Sequence, residues 1–175
     1  MIHLDRPFSV GDWVPSPDRN IEGTVEKIGW RLTVMRTFDN RPLYVPNALF
    51  TQIVVENPSR MMNRRIVETV GIRYDDAGQM AGVVADVKAM LEAHPEIDTD
   101  QTLIVNFNEF SPSSPDYFVY TYTKTTNWVR FHEIKQGVLR KIIEIIEEHG
   151  AKCAFPTSTI HLSGPDGPET LMSAA

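Results

Sequence analysis

The sequence predicts an α+β protein in two pieces: a small, strongly bent β-barrel, then a β-α-β-β-α-β unit. Three observations predict it. From Gly23 to Asn47 the chain alternates β-branched and polar residues between glycines and turn residues. That pattern stops at Asn57-Pro58-Ser59-Arg60-Met61-Met62-Asn63, where proline and polar residues intervene. Beyond it, two apolar stripes at helical spacing are separated by strand-like runs.

In the first piece, five short strands fit between Val10 and Val55. Thr24–Ile28 and Arg31–Arg36 are two of them, and Asp39-Asn40 before Arg41-Pro42 supplies a turn between Thr37-Phe38 and Leu43-Tyr44-Val45. Gly23 and Gly29 stand where a strand bends sharply or admits a neighbouring backbone. At roughly 50 residues such a barrel buries little core, so it should lean on another domain or on copies of itself.

In the second piece, Arg65 to Tyr74 places Ile66, Val70, Ile72 and Tyr74 on one side, with Glu68 breaking the alternation. Asp75-Asp76 then caps a helix over Ala77–His94, whose stripe is Met80, Val83, Val84, Val87, Met90 and Leu91; Gly78 and Gly82 weaken it and Pro95 lies beyond its end. A third strand sets Leu103, Val105 and Phe107 on one face. Tyr117 to Thr123 follows the loop Ser111-Pro112-Ser113-Ser114-Pro115, and the two strands suit a hairpin. The clearest helix is Asn127 to His149, where Phe131, Ile134, Val138, Ile142 and Ile145 form the stripe and Gly150 the stop. A last strand over Ser158–Leu162 completes four antiparallel strands with two helices on one face. The glycine- and proline-bearing tail 164–175 has the composition of a disordered end.

Composition excludes more than it selects. Of 175 residues, 42% are hydrophobic and 23% charged, which is ordinary for a folded domain or two, and the formal charge of −6 argues against a nucleic-acid surface. The single cysteine, Cys153, rules out an intramolecular disulfide and a cysteine-rich metal site, and reads as a packed thiol. No apolar run approaches the roughly 18 to 20 residues needed to cross a bilayer, so the chain as it stands reads as soluble. His3, His94, His132, His149 and His161 show no metal-ligand spacing. Glu144, Glu147 and Glu148 fall on a solvated helix face, and no phosphate loop or nucleophile elbow occurs. No cofactor, metal or catalytic residue is assigned, and an enzyme is not expected. Trp13 and Trp30 are expected to cover the barrel, and Trp128 to begin the second helix.

An ordered series of short motifs resembles the cytoplasmic part of the small-conductance mechanosensitive channel family. It comprises Arg6-Pro7-Phe8-Ser9-Val10-Gly11-Asp12-Trp13, Gly23-Thr24-Val25-Glu26, Ile28-Gly29, Arg36-Thr37-Phe38-Asp39, Val45-Pro46-Asn47, Asn57-Pro58-Ser59-Arg60 and Phe155-Pro156. The resemblance covers residues 4 to 163. It implies an Sm-like β domain over 1–60 and a ferredoxin-like α/β domain over 61–163, assembled as a heptamer beneath membrane-spanning helices absent from this sequence. Met1 then marks a cut in a longer chain of the cell inner membrane, with this region on the cytoplasmic side. Arg6, Pro7 and Phe8 would couple the pore helix to the barrel, Gly23 and Gly29 would permit its bends, and Val45, Pro46 and Asn47 would close it near a subunit contact. Ions would be the permeants. Pro15-Ser16-Pro17-Asp18-Arg19-Asn20 is longer than the corresponding loop of many relatives.

Arg60, Arg64 and Arg65 are the one concentration of positive charge. They read either as ion-pair partners of Asp75, Asp76 or Glu68, or, by the resemblance, as a ring biasing ions at side portals into a vestibule. Two other classes suit the same pattern: a free-standing Sm-like RNA-binding ring and a small-molecule regulatory domain. The strand at Leu103 lacks the basic and interleaved aromatic residues that RNA recognition uses, so nucleic acid is not an expected partner.

Overall fold

In the computed structural model the described residues are 7–156, with the two-residue strands Ser163–Gly164 and Gly167–Pro168. The chain divides into two compact units between Met62 and Asn63. Both are built on antiparallel sheets, and the second adds helices.

The first unit is a meander, β1 (Trp13–Ser16), β2 (Ile21–Ile28), β3 (Leu32–Arg36) and β4 (Pro42–Pro46), each strand pairing with the next. Alternation puts Val14, Val25, Met35 and Val45 on one side, where they bury a core with Phe8. Four strands are present among residues 7–60 where five were expected. The segment that would make the fifth runs beside β1, with the Ser16 hydroxyl donating to the Val54 carbonyl at 2.8 Å, but the one backbone–backbone bond between them among the described residues is from the Glu56 N–H to the Pro15 carbonyl, at 3.1 Å. A strand residue presents its N–H and C=O to the same side, and proline has no N–H to return the bond, so the ladder stops there. The long loop after β1 packs on its own unit, with the Asp18 carboxylate accepting the Val54 N–H at 2.8 Å.

The bend of β2 comes from a bulge: the register against β3 shifts between Val25 and Lys27, leaving Glu26 as the extra residue. The Glu26 carboxylate meets Arg36 through two hydrogen bonds of 2.8 and 2.9 Å, and this contact holds its pKa below the usual carboxylate value.

The second unit contains β5 (Arg64–Gly71), α1 (Met80–Glu92), β6 (Ile104–Ser111), β7 (Ser114–Thr123) and α2 (Trp128–Glu148), with sheet order β5-β7-β6. The expected hairpin is β6–β7, turning tightly at Pro112-Ser113 rather than through a five-residue loop. Its register shifts between Phe107 and Glu109, leaving Asn108 as the extra residue; Phe107, read as sharing a face with Leu103 and Val105, lies opposite the buried Tyr117 but is itself exposed and meets Phe110 edge-on. The fourth expected strand, Ser158–Leu162, lies outside the described residues. Cys153 bridges Ile72 before it, and the Ala154 N–H donates to the Gly71 carbonyl at 3.0 Å. Within the stretch expected to be an unstructured tail, Gly164 pairs with Gly167.

Two helix details differ from the sequence reading. Tyr74–Gln79 is a 3₁₀ helix and α1 begins at Met80, because neither aspartate caps it: Asp75 pairs with Arg73 and Asp76 accepts the Lys152 N–H. On α2 the buried stripe is Phe131, Ile134, Val138, Ile142 and Ile146, with Ile145 only partly covered; four residues keep a side chain in line as well as three do. The ends of α2 match expectation. Asn127 Oδ1 accepts the Arg130 N–H at 3.0 Å, and Gly150 carries a φ of +70° past the C-terminus. Glu68, which broke the strand alternation, reaches α2 and pairs with Lys135.

Candidate functional site

No group of three or more histidine, cysteine, aspartate or glutamate side chains among the described residues is placed to hold a metal ion. His149 is bound to Asp86 at 2.7 Å, and the His94 ring accepts the Glu96 N–H at 3.2 Å. Burial, and then the nearby Glu147 carboxylate, raises the Cys153 thiol pKa, opposite to what a reactive thiolate needs. The residues of interest are therefore those of the sheet ends and turns.

Val45-Pro46-Asn47 ends β4, and each residue does something different there. Val45 is buried in the core and Pro46 is exposed. Asn47 ties β4 to the β2–β3 turn: its Nδ2 donates to the Gly29 carbonyl at 2.9 Å and to the Trp30 carbonyl at 3.2 Å, and its Oδ1 accepts the Thr33 hydroxyl at 2.8 Å. Its backbone N–H adds a bond to the Arg31 carbonyl at 2.9 Å.

Gly23 and Gly29 both sit against backbone. A Cβ on Gly23 would lie 2.6 Å from the Arg36 carbonyl oxygen, and one on Gly29 would lie 2.8 Å from that of Leu32. Close strand approach, rather than a special φ, is what requires glycine at the two positions.

Arg6 lies outside the described residues. Phe8, at 1% exposure, is a core side chain, tilted against Phe50 with ring centres 4.9 Å apart. The Pro7 carbonyl accepts from Asn57 Nδ2 at 3.0 Å, and that same nitrogen reaches the Asp12 carboxylate at 2.8 Å. The segment before β1 is thus pinned by one core anchor and one amide clamp.

Within the second unit, Arg64 and Arg65 are not among the partners of Asp75, Asp76 or Glu68 given above. In the first unit, Arg60 stands 4.0 Å from the Asp12 carboxylate. In the second, Arg64 donates to the Thr126 carbonyl at 2.7 Å and lies over the Trp128 ring at 4.8 Å, and its partial burial lowers its pKa from the usual guanidinium value. Arg65 is exposed, on the sheet face turned away from the helices, 5.7 Å from the centre of the Tyr120 ring.

Two features escaped the sequence reading. One is the aromatic row Phe118, Tyr120 and Tyr122 on that same sheet face, with the two tyrosine hydroxyls 2.8 Å apart; the alternation Phe-Val-Tyr-Thr-Tyr was the signal. The other is Trp30, which covers nothing: it is 93% exposed at the tip of the β2–β3 turn. Trp13, by contrast, is partly covered, edge-on to Phe38.

Comparison with known proteins places this geometry. Residues 1–60 match the family described as mechanosensitive ion channel, beta-domain, and residues 66–153 match mechanosensitive ion channel MscS, C-terminal. The chain is 55% identical over 169 residues to the low conductance mechanosensitive channel YnaI of Escherichia coli, an alignment covering 97% of this chain and 49% of that protein. It is 31% identical over 163 residues to the small-conductance mechanosensitive channel MscMJ of Methanocaldococcus jannaschii, covering 93% of this chain and 45% of that one. Among solved structures, Arabidopsis thaliana MSL1 superposes with a TM-score of 0.82 at 23% identity, over 89% of this chain and 56% of that one. The closed-state Helicobacter pylori MscS gives 0.76 at 20% identity, over 93% and 62%; these two likenesses bear on the fold alone. The chain thus spans about half the length of the curated relatives named here, which are ion channels. With both segments matched in order, the chain belongs to the MscS family of mechanosensitive ion channels.

Proposed function

We propose that this chain is the cytoplasmic vestibule portion of a tension-gated channel that releases ions and small solutes on hypo-osmotic shock. The observation that carries the reading is the match, in order, of residues 1–60 and 66–153 to the two family segments. In this reading residues 1–60 are an Sm-like β domain, 61–163 a ferredoxin-like domain and 164–175 a tail. Membrane-spanning helices preceding Arg6 carry the pore in the cell inner membrane, and the region here hangs on the cytoplasmic side.

Assembly follows from the edges. β4 has no strand on its outer side among the described residues, and the first unit's core is five buried side chains deep. Neighbouring copies in a ring, seven in number, would cover such edges and add to that core. Val45-Pro46-Asn47 would sit beside that contact, with Pro46 offering an exposed surface and Asn47 holding it in shape. Phe8 would carry force from the pore helix into the β domain, because it is the first described side chain fixed in a core. Arg60, Arg64 and Arg65 would bias ions at side portals.

The test is to read the source gene upstream of the Met1 codon. An in-frame extension encoding several apolar spans, the last rich in glycine and alanine, is the expected result. A stop codon followed by a start signal at Met1 would overturn the reading.

A further inference from the structure

The β2–β3 turn exposes a tryptophan ring at 93%, more than any other large hydrophobic side chain among the described residues, and its surroundings say what covers it. Asn47 holds the Trp30 carbonyl, and Phe50, three residues further on, packs against Phe8. The turn therefore lies at the end of the first unit where the chain arrives from the residues before Pro7. That end also carries two cations, Lys27 and Arg31, neither of them in an ion pair among the described residues, in a chain of net charge −6; the carboxylate there, Asp12, is held by the Ser9 N–H and Asn57 Nδ2 and stands 4.0 Å from Arg60. Lys27 and Arg31, which flank the turn in sequence, are exposed, and so is Val10 in the segment leading to β1. The carboxylates Asp18, Glu22 and Asp39 belong to loops and strand ends at the opposite end of the sheet.

We propose that the Trp30-Arg31 turn seats in the headgroup layer of an anionic membrane, with the indole at the boundary of headgroups and acyl chains and Lys27 and Arg31 against lipid phosphates. This rests on the reading above that a membrane-spanning segment precedes Pro7. An amphipathic ring and two flanking cations held by no carboxylate are what a membrane–water interface retains. A protein surface would cover the ring equally well, but it would not account for cations without acidic partners. Each cation near an anionic surface contributes about 1 kcal/mol, or about fivefold in partition, so one copy binds weakly and several linked copies bind firmly.

The experiment holds the 175-residue chain on vesicles through an N-terminal histidine tag and nickel-chelating lipid, which supplies the missing proximity. The vesicles are phosphatidylcholine with phosphatidylglycerol, with or without brominated acyl chains, and the readout is quenching of indole fluorescence. Bromine-dependent quenching in the parent chain and its loss in Trp30→Phe is the expected result; at this exposure the substitution leaves the core untouched, which far-UV circular dichroism checks. Lys27→Gln and Arg31→Gln should each lower untethered partition about fivefold and flatten its salt dependence. Equal quenching in parent and Trp30→Phe, or no quenching in either, overturns the lipid contact. Partition unchanged by both glutamines overturns the part given to the cations. Because no gating is involved, failure here is distinct from failure of the channel reading, which is decided by the presence or absence of tension-gated current from the full-length gene product.

Discussion

The buried Thr33 hydroxyl donates to Asn47 Oδ1 at 2.8 Å, while the nitrogen of the same amide serves the Gly29 carbonyl. One side chain thereby satisfies a buried donor on β3 and fixes the turn that joins β3 to β2. Asn47→Ala should cost about 1–3 kcal/mol in urea unfolding, the penalty of leaving such groups unpaired. Thr33→Val should recover part of it in the Asn47→Ala background, because no buried hydroxyl then remains. Strictly additive effects in that double-mutant cycle would contradict the pairing.

Gly23→Ala should destabilise by about 1–3 kcal/mol, since its Cβ would meet the Arg36 carbonyl oxygen and backbone on a paired strand has little room to yield. Gly78→Ala is the internal control. Nothing lies within 4 Å of its Cβ, so it should be neutral or slightly stabilising. Thermal melts of the two variants decide it, and equal melting points would remove the close-approach argument.

How much of this was legible in the sequence depends on which force sets each feature. The α2 cap, stop and most of its stripe were readable, because Asn127, Gly150 and the spacing of Phe131, Ile134, Val138 and Ile142 act locally. The missing fifth strand was not, because it turns on Pro15 lacking a donor towards one particular neighbour. The β6 bulge at Asn108 was likewise not legible, and the 3₁₀ turn ahead of Met80 depends on a tertiary partner, Lys152. Of the candidate residues, Asn47, Gly23 and Gly29 were legible as positions, whereas Trp30 was misread because periodicity does not tell a turn tip from a core-facing position.

Tyr117 is fully buried and its hydroxyl finds no hydrogen-bond partner among the described residues. Tyr117→Phe should be neutral or stabilising at pH 7, by up to about 1–3 kcal/mol. Burial, with a smaller contribution from Cys153, raises the phenol pKa in the folded chain above its ordinary value near 10. The unfolded chain therefore ionises first as pH rises, and the folded state loses about 1.4 kcal/mol per pH unit from this residue above that point. Urea unfolding from pH 7 to about 11 should show a steeper alkaline loss in the parent than in Tyr117→Phe. Parallel curves would contradict the assignment.

The proposed portal charges separate by their partners. Arg64 is bound to the Thr126 carbonyl and lies over Trp128, so Arg64→Gln should lower thermal stability as well as positive charge. Arg65 is exposed, and Arg65→Gln should leave stability within about 0.5 kcal/mol while shifting the reversal potential of the assembled channel towards cation preference. An unchanged reversal potential would remove Arg65 from the permeation path.

The most direct measurement is patch-clamp recording from membranes of channel-deficient cells expressing the full-length gene that contains this chain, under a suction ramp. The channel reading predicts stepwise currents that appear above a threshold tension and are absent from cells carrying an empty vector. A properly inserted gene product that gives no tension-dependent current up to membrane rupture would contradict it.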